Sequence, residues 1–141
     1  MPEVFICSDA IQNKNSPVKV LVCDDSEIVR RGIRQLLSAN SKIEVVGEAA
    51  NYAQTIQLAC DLHPEVVVLD LHMPDAMNHT PQEFKSHLSR GPQILAVSFL
   101  NDEETAKLAD LYGAVTFLDK TNLANTLIPT IARLCEKRGS A

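Results

Sequence analysis

Val66-Val67-Val68-Leu69-Asp70-Leu71-His72-Met73-Pro74 is the stretch on which the fold turns. Three valines and a leucine run without a polar break, the pattern of a strand covered on both faces rather than one with a wet side. An acid closes the run, and Met73-Pro74 turns the chain away from it. Shorter runs of the same kind flank it. Residues 20–23, 43–46, 94–97 and 115–118 read as four more strands. Between them the period changes to that of a helix. Val29, Ile33, Leu36 and Leu37 stripe residues 26–38, and Ile56, Ala59 and Cys60 share a face within 53–62. Residues 82–88 form a short helix, and 103–111 a helix that Gly113 stops in C-cap position. Leu123, Leu127, Ile131 and Leu134 stripe the last helix.

Five strands alternating with five helices call for an α/β fold: a doubly wound, five-stranded parallel sheet with helices on both faces and right-handed crossovers. In such sheets ligands bind beyond the carboxyl ends of the strands. Composition agrees with a globular domain. The chain has 141 residues, 45% apolar and 22% charged, enough for one domain with its own core. Residues 1–17 read as a flexible N-terminal tail, 18–137 as the domain, and 138–141 as a C-terminal tail or the start of a linker. Thirteen basic against eighteen acidic side chains give a net charge of −5, which argues against a nucleic-acid surface. No apolar run nears the ~18 residues of a membrane span, and no basic-then-apolar leader opens the chain. Cys7, Cys23, Cys60 and Cys135 are scattered and form no C-x-x-C pair, as expected of reduced thiols in the cytoplasm.

Several chemistries drop out. Gly32, Gly47, Gly91, Gly113 and Gly139 are too far apart to write a dinucleotide fingerprint or a P-loop. His63, His72, His79 and His87 contain no i,i+4 pair and no H-E-x-x-H zinc motif. No G-x-S-x-G elbow is present.

What remains lies at the strand ends: Asp24 and Asp25, Asp70, Ser98 and Lys120. Singly, each has a structural explanation: a helix cap, a turn residue, a second cap, a surface charge. Together they form a set. Three carboxylates at one edge repel one another and need a cation. A small all-oxygen site favours Mg²⁺ or Mn²⁺. A carboxylate beside such a metal can attack phosphorus to form an aspartyl-phosphate, while the metal and a lysine neutralise the transferring group and a hydroxyl holds one of its oxygens.

These elements resemble the receiver domain of two-component response regulators, from about Lys19 to Lys137. Val20-Leu21-Val22-Cys23-Asp24-Asp25-Ser26 is similar to that family's first strand and acidic pair, and Val66 to Pro74 to its third strand, phosphoacceptor and Met-Pro turn. Ser98 and Lys120 match its hydroxyl and lysine positions, and Phe117 its switch aromatic. Residues 28–37 followed by 43–49 most resemble the NarL/LuxR-type subfamily. The resemblance implies a flavodoxin-like receiver fold with strand order 2-1-3-4-5. It implies that Asp70 accepts phosphate from a histidine kinase or phosphotransfer protein, with Asp25, Asp70 and the His72 backbone carbonyl as Mg²⁺ ligands and Asp24 acting through water. It further implies that Phe117 alternates between rotamers as Ser98 moves, that the chain homodimerises on phosphorylation, and that transfer and dephosphorylation are self-catalysed steps of a signalling protein rather than a metabolic enzyme.

The departures are specific. Asp75-Ala76-Met77-Asn78 stands where the family commonly has Met-Asp-Gly, and Asn78 is expected to take the glycine's positive φ. Thr121 follows Lys120 where many receivers have proline, so a cis peptide there would carry the larger non-proline cost of ~2.5–4 kcal/mol. Phe99 follows Ser98 where a small residue is usual, and is expected to crowd access to the site. Two other readings stand beside this one: a degenerate receiver that works as a phosphorylation-independent interaction module, and a metal-dependent phosphatase, which generally needs an acid where His72 lies. Too little chain follows Leu134 for a helix-turn-helix. The subfamily resemblance implies transcription regulation through a DNA-binding domain absent from this chain, with a free-standing receiver as the alternative.

Overall fold

The computed structural model of the chain describes residues 16–88 and 91–139, so all but the last two residues of the expected N-terminal tail lie outside the described residues, as do residues 140 and 141. Five parallel strands, β1 (Val18–Cys23), β2 (Ile43–Ala49), β3 (Val66–Asp70), β4 (Gln93–Ser98) and β5 (Ala114–Asp119), form one sheet in the order β2-β1-β3-β4-β5. The helices are α1 (Glu27–Ser38), α2 (Tyr52–Leu62), α3 (Pro81–Leu88), α4 (Glu103–Leu111) and α5 (Leu123–Gly139). Short 3₁₀ helices at Pro74–Asn78 and Lys120–Asn122 follow β3 and β5.

Alternation along the strands splits the core in two. Val20, Val22, Val66, Val68, Leu95 and Val97 pack on Ile33 and Leu37 of α1 and on Leu127 and Ile131 of α5. The opposite faces of the same strands, Leu21, Cys23, Val67, Leu69 and Ala96, pack on α2, α3 and α4. All five residues of β3 are buried, as its unbroken apolar run predicts.

The helix starts are set by short polar side chains. Ser26, Asn51 and Asp102 sit in extended backbone and accept from the N–H groups of Val29, Gln54 and Thr105. Thr80 Oγ1 likewise accepts from the Glu83 N–H at 3.1 Å and donates to the Glu83 carboxylate at 3.2 Å, at the start of α3. Tyr112 caps the end of α4, and Gly113, the expected cap, follows one residue beyond it in the left-handed region at φ 86°. A side chain at Gly113 would also meet Lys85 Cγ at 3.1 Å.

Asn78 differs from expectation. The positive-φ residues among those described are His63 and Gly113, and Asn78 instead ends the 3₁₀ helix with an ordinary negative φ. The turn needs no glycine-like residue there because the 3₁₀ helix carries the chain round, with Asp75 reaching across to α2. The Lys120–Thr121 peptide is trans.

Candidate functional site

The sheet topology brings the predicted strand-end residues together. β1 and β3 are neighbours at the centre, with β4 and then β5 beside β3, so Asp24, Asp70, Ser98 and Lys120 converge on one edge. With Asp25, His72, Phe99 and Leu100 they line a cleft of about 280 Å³. Phe117 is not among the lining residues. It pairs with Ala96 in β5 and packs, half-buried, on the α2–α4 side of the sheet.

Charge in the cleft is dense and poorly hydrated. Asp24, Asp70 and Ser98 are buried, whereas Asp25 is exposed. Lys120 Nζ lies 2.5 Å from Asp24 Oδ2 and 3.1 Å from Asp70 Oδ1, with its side chain 7% exposed. Asp24 Oδ1 accepts from the Ser26 N–H at 2.9 Å, tying the acidic turn to the start of α1. Asp24 Oδ2, by contrast, makes no hydrogen bond of regular geometry although it is buried. Asp70 Oδ1 accepts from the His72 N–H at 3.2 Å. Burial, and next to it the Asp24 charge, push the Asp70 carboxyl above its ordinary value, and the Lys120 ammonium opposes them. Ser98 Oγ accepts from the Leu100 N–H at 3.0 Å, a bond that does not use its own proton. The exposed Phe99 ring lies over the ammonium, its centroid 5.1 Å from Lys120 Nζ.

A hard divalent cation fits this arrangement. Asp24, Asp25 and Asp70 each offer an oxygen, and the three atoms lie within 4.8 Å of one another. One lysine, which already meets both Asp24 Oδ2 and Asp70 Oδ1, does not balance three carboxylates. All-oxygen donors of this kind suit Mg²⁺ or Mn²⁺ rather than a softer metal.

Four supporting residues were not singled out as site residues in the sequence: Arg30, Arg34, Tyr52 and Asp75. Arg30 of α1 donates through Nη1 to the Asp24 carbonyl at 2.7 Å and through Nε to Glu48 Oε1 at 3.1 Å, so it braces the acidic turn against β2. Arg34, one helical turn on, pairs with the same glutamate, and this basic i,i+4 stripe was the only available signal. Tyr52 donates its hydroxyl to the Asp70 carbonyl at 3.0 Å. Asp75 accepts from the Tyr52 and Ala53 N–H groups at 2.8 and 3.0 Å. The last two contacts join positions 18 and more than 20 residues apart, and nothing in the local pattern announces them.

Known proteins share this architecture. The family described as response regulator receiver domain matches residues 20–132. The transcriptional regulatory protein LiaR of Bacillus subtilis is 34% identical over 116 residues, which is 81% of this chain and 54% of LiaR. The response regulator protein VraR of Staphylococcus aureus is 33% identical over 117 residues, 82% of this chain and 56% of VraR. This chain thus spans about half the length of these curated relatives. The signal receiver domain assigned to NarL of Mycobacterium tuberculosis superposes with a TM-score of 0.76 at 27% identity, covering 86% of this chain and 98% of that domain. With the strand order, the acid cleft and these matches in agreement, the chain belongs to the response regulator receiver domain family and resembles its NarL/LuxR-type members.

Proposed function

We propose that the chain is a phosphorylation switch in which Asp70 accepts a phosphoryl group from a histidine kinase or phosphotransfer protein. The observation that carries this reading is the convergence of three carboxylates within 4.8 Å, two of them buried against the Lys120 ammonium. Asp24, Asp25, Asp70 and the His72 backbone carbonyl are the groups that would hold Mg²⁺, with Mn²⁺ as a chemical equivalent. When bound, that ion supplies positive charge for the phosphoryl oxygens.

The remaining chemistry belongs to the chain. An Asp70 carboxylate oxygen attacks phosphorus in line, the new O–P bond forms, and the P–N bond of the donor breaks with its electron pair returning to the imidazole. Lys120, already 3.1 Å from Asp70, pairs with the added charge. Ser98 has a hydroxyl proton to give to a phosphoryl oxygen. Phe99 narrows the approach, and Phe117, half-buried on the α2–α4 side, follows Ser98 as the switch aromatic. Output through a DNA-binding domain outside this chain is the role that LiaR, a transcriptional regulatory protein, suggests. The setting is cytoplasmic, with homodimerisation on phosphorylation. Among the described residues no helix is long and apolar enough to cross a membrane.

The test is intact mass after incubation with Mg²⁺ and acetyl phosphate. Wild type is expected to gain one phosphate and Asp70→Asn none. Full uptake by the variant would remove the assignment of Asp70, and no uptake by wild type would support the degenerate, phosphorylation-independent module.

A further inference from the structure

Tyr52 is the first residue of α2 and is completely buried. A phenol is costly to bury unless its hydroxyl finds a partner, and here the partner is the backbone carbonyl of Asp70 itself, at 3.0 Å. Burial pushes the Tyr52 phenol well above its ordinary value, so it keeps its proton and stays a donor. The same residue is held at its other end, where its N–H donates to Asp75 in the segment that leads away from Asp70. Tyr52 therefore grips the acceptor segment before and after the turn.

The ring cannot swing freely. It stacks on Tyr112 at 5.1 Å between centroids and 14° between planes, and meets Phe84 edge-on at 5.6 Å. Tyr112 in turn meets Phe84 at 5.5 Å, which closes a three-ring cluster between α2, α3 and the end of α4. The peptide that follows Asp70 is otherwise lightly held, since the Leu71 N–H reaches the Val97 carbonyl only at 3.3 Å. That peptide sets the course of the backbone to His72, whose N–H bonds the Asp70 carboxylate. A change of a few tenths of an ångström in the carbonyl is thus felt at the attacking oxygen, and in-line transfer is sensitive to such shifts.

We propose that Tyr52 is a positioning residue for phosphoryl acceptance: its hydroxyl fixes the Asp70–Leu71 peptide, and the stack with Tyr112 makes the ring cluster respond to the occupied site. The inference rests on the reading of Asp70 as phosphoacceptor. It also has a built-in reporter. The chain has no tryptophan, and Tyr52 and Tyr112 are its two tyrosines, so intrinsic emission comes from this cluster alone.

The experiment uses the full chain with Mg²⁺ and beryllofluoride, a phosphoryl mimic. Tyrosine emission of wild type is expected to change on saturation. Tyr52→Phe keeps the ring and loses only the hydroxyl. It is expected to keep a cooperative melt but to bind beryllofluoride about fivefold more weakly by fluorine NMR, equivalent to about 1 kcal/mol. A merely structural role would lower the melting temperature and leave the affinity of the folded protein unchanged. If wild type takes phosphate by intact mass while Tyr52→Phe binds as tightly as wild type, the positioning role is overturned and the Asp70 reading survives. A wild type that takes none overturns both. Should Tyr52→Phe lose its cooperative melt, the wild-type emission decides: a change on saturation supports the inference, and constancy overturns it.

Discussion

The two faces of the sheet are packed with different materials. On the α1–α5 side every buried residue of the core is aliphatic, from Val20 and Val68 to Leu127 and Ile131. On the α2–α4 side the core holds Tyr52, Phe84 and Tyr112, with Phe117 against them and Cys23 and Thr55 nearby. Both faces exclude water equally well, so burial alone does not explain the difference. Aliphatic chains fill space and end in methyl groups, whereas tyrosine and threonine fill space and still offer a hydroxyl at the tip. Among the described residues, only on the aromatic side does a core side chain reach the backbone of β3, Tyr52 at the Asp70 carbonyl. Not every polar atom there is active. Burial pushes the Cys23 thiol up to about 12, which leaves it a protonated packing group.

The comparison breaks most visibly if the aliphatic face turns out to carry function. Leu127 is wholly buried among α5, α1 and the sheet. Leu127→Ala is expected to cost about 2–5 kcal/mol of stability through lost transfer energy and the cavity left behind. In urea titration the midpoint should fall accordingly. The fraction that remains folded should take phosphate at the wild-type rate. A folded variant with much slower uptake would show that both faces position the site.

How much of this was legible in the sequence depends on how local the cause is. The β-branched runs and helical stripes act over a few residues, and the rule that parallel strands present their carboxyl ends together then places Asp24, Asp70, Ser98 and Lys120 on one edge. β2 runs on past residue 46 through Gly47, Glu48 and Ala49 because β1 pairs with it, Leu21 against Gly47 and Cys23 against Ala49, and that partner lies outside any local window. Tyr52 at Asp70 and Arg30 at Glu48 are each set by two elements meeting, 18 residues apart in both cases. Asn78 went astray for a related reason. Its tolerance of positive φ is a real property of asparagine, but the carboxylate of Asp75 on the α2 amides lets a 3₁₀ helix make the turn instead.

Phe99 sharpens the comparison because it is an aromatic on the aliphatic side. It follows β4 and lines both the acid cleft and a groove shared with Val29, Ile33 and Leu36 of α1 and Leu123 of α5. At 60% exposure it contributes little to the core. Its ring lies over Lys120 in the cleft that also holds Asp70. Phe99→Ala is expected to speed both phosphate uptake and loss, by roughly tenfold in the dephosphorylation rate, which corresponds to about 1.4 kcal/mol of barrier. An unchanged rate would place access control elsewhere and leave Phe99 as a surface ring.

The smallest expected effect is on stability, and it lies where the two faces meet. Burial and the Asp24 charge raise the Asp70 carboxyl above its unfolded value, so the ionised group disfavours the folded state once the pH is above both values. Below the unfolded value the group is protonated in either state and the penalty vanishes. Asp70→Asn removes the charge at nearly constant size. Without divalent cations at neutral pH the variant is expected to melt above wild type, and the gain should shrink as the pH falls below the ordinary carboxylate range. The gain is held down because the variant also gives up the 3.1 Å contact with Lys120, although that lysine keeps Asp24 at 2.5 Å. Added Mg²⁺ should then raise the melting temperature of wild type more than that of Asp70→Asn, since a ligand stabilises in proportion to its affinity for the folded state. A variant that melts below wild type at neutral pH would mean that attraction to Lys120 outweighs burial and carboxylate repulsion together. In that case the lysine already balances the acid cluster, and the closeness of the three carboxylates would be left as the structural argument for a cation.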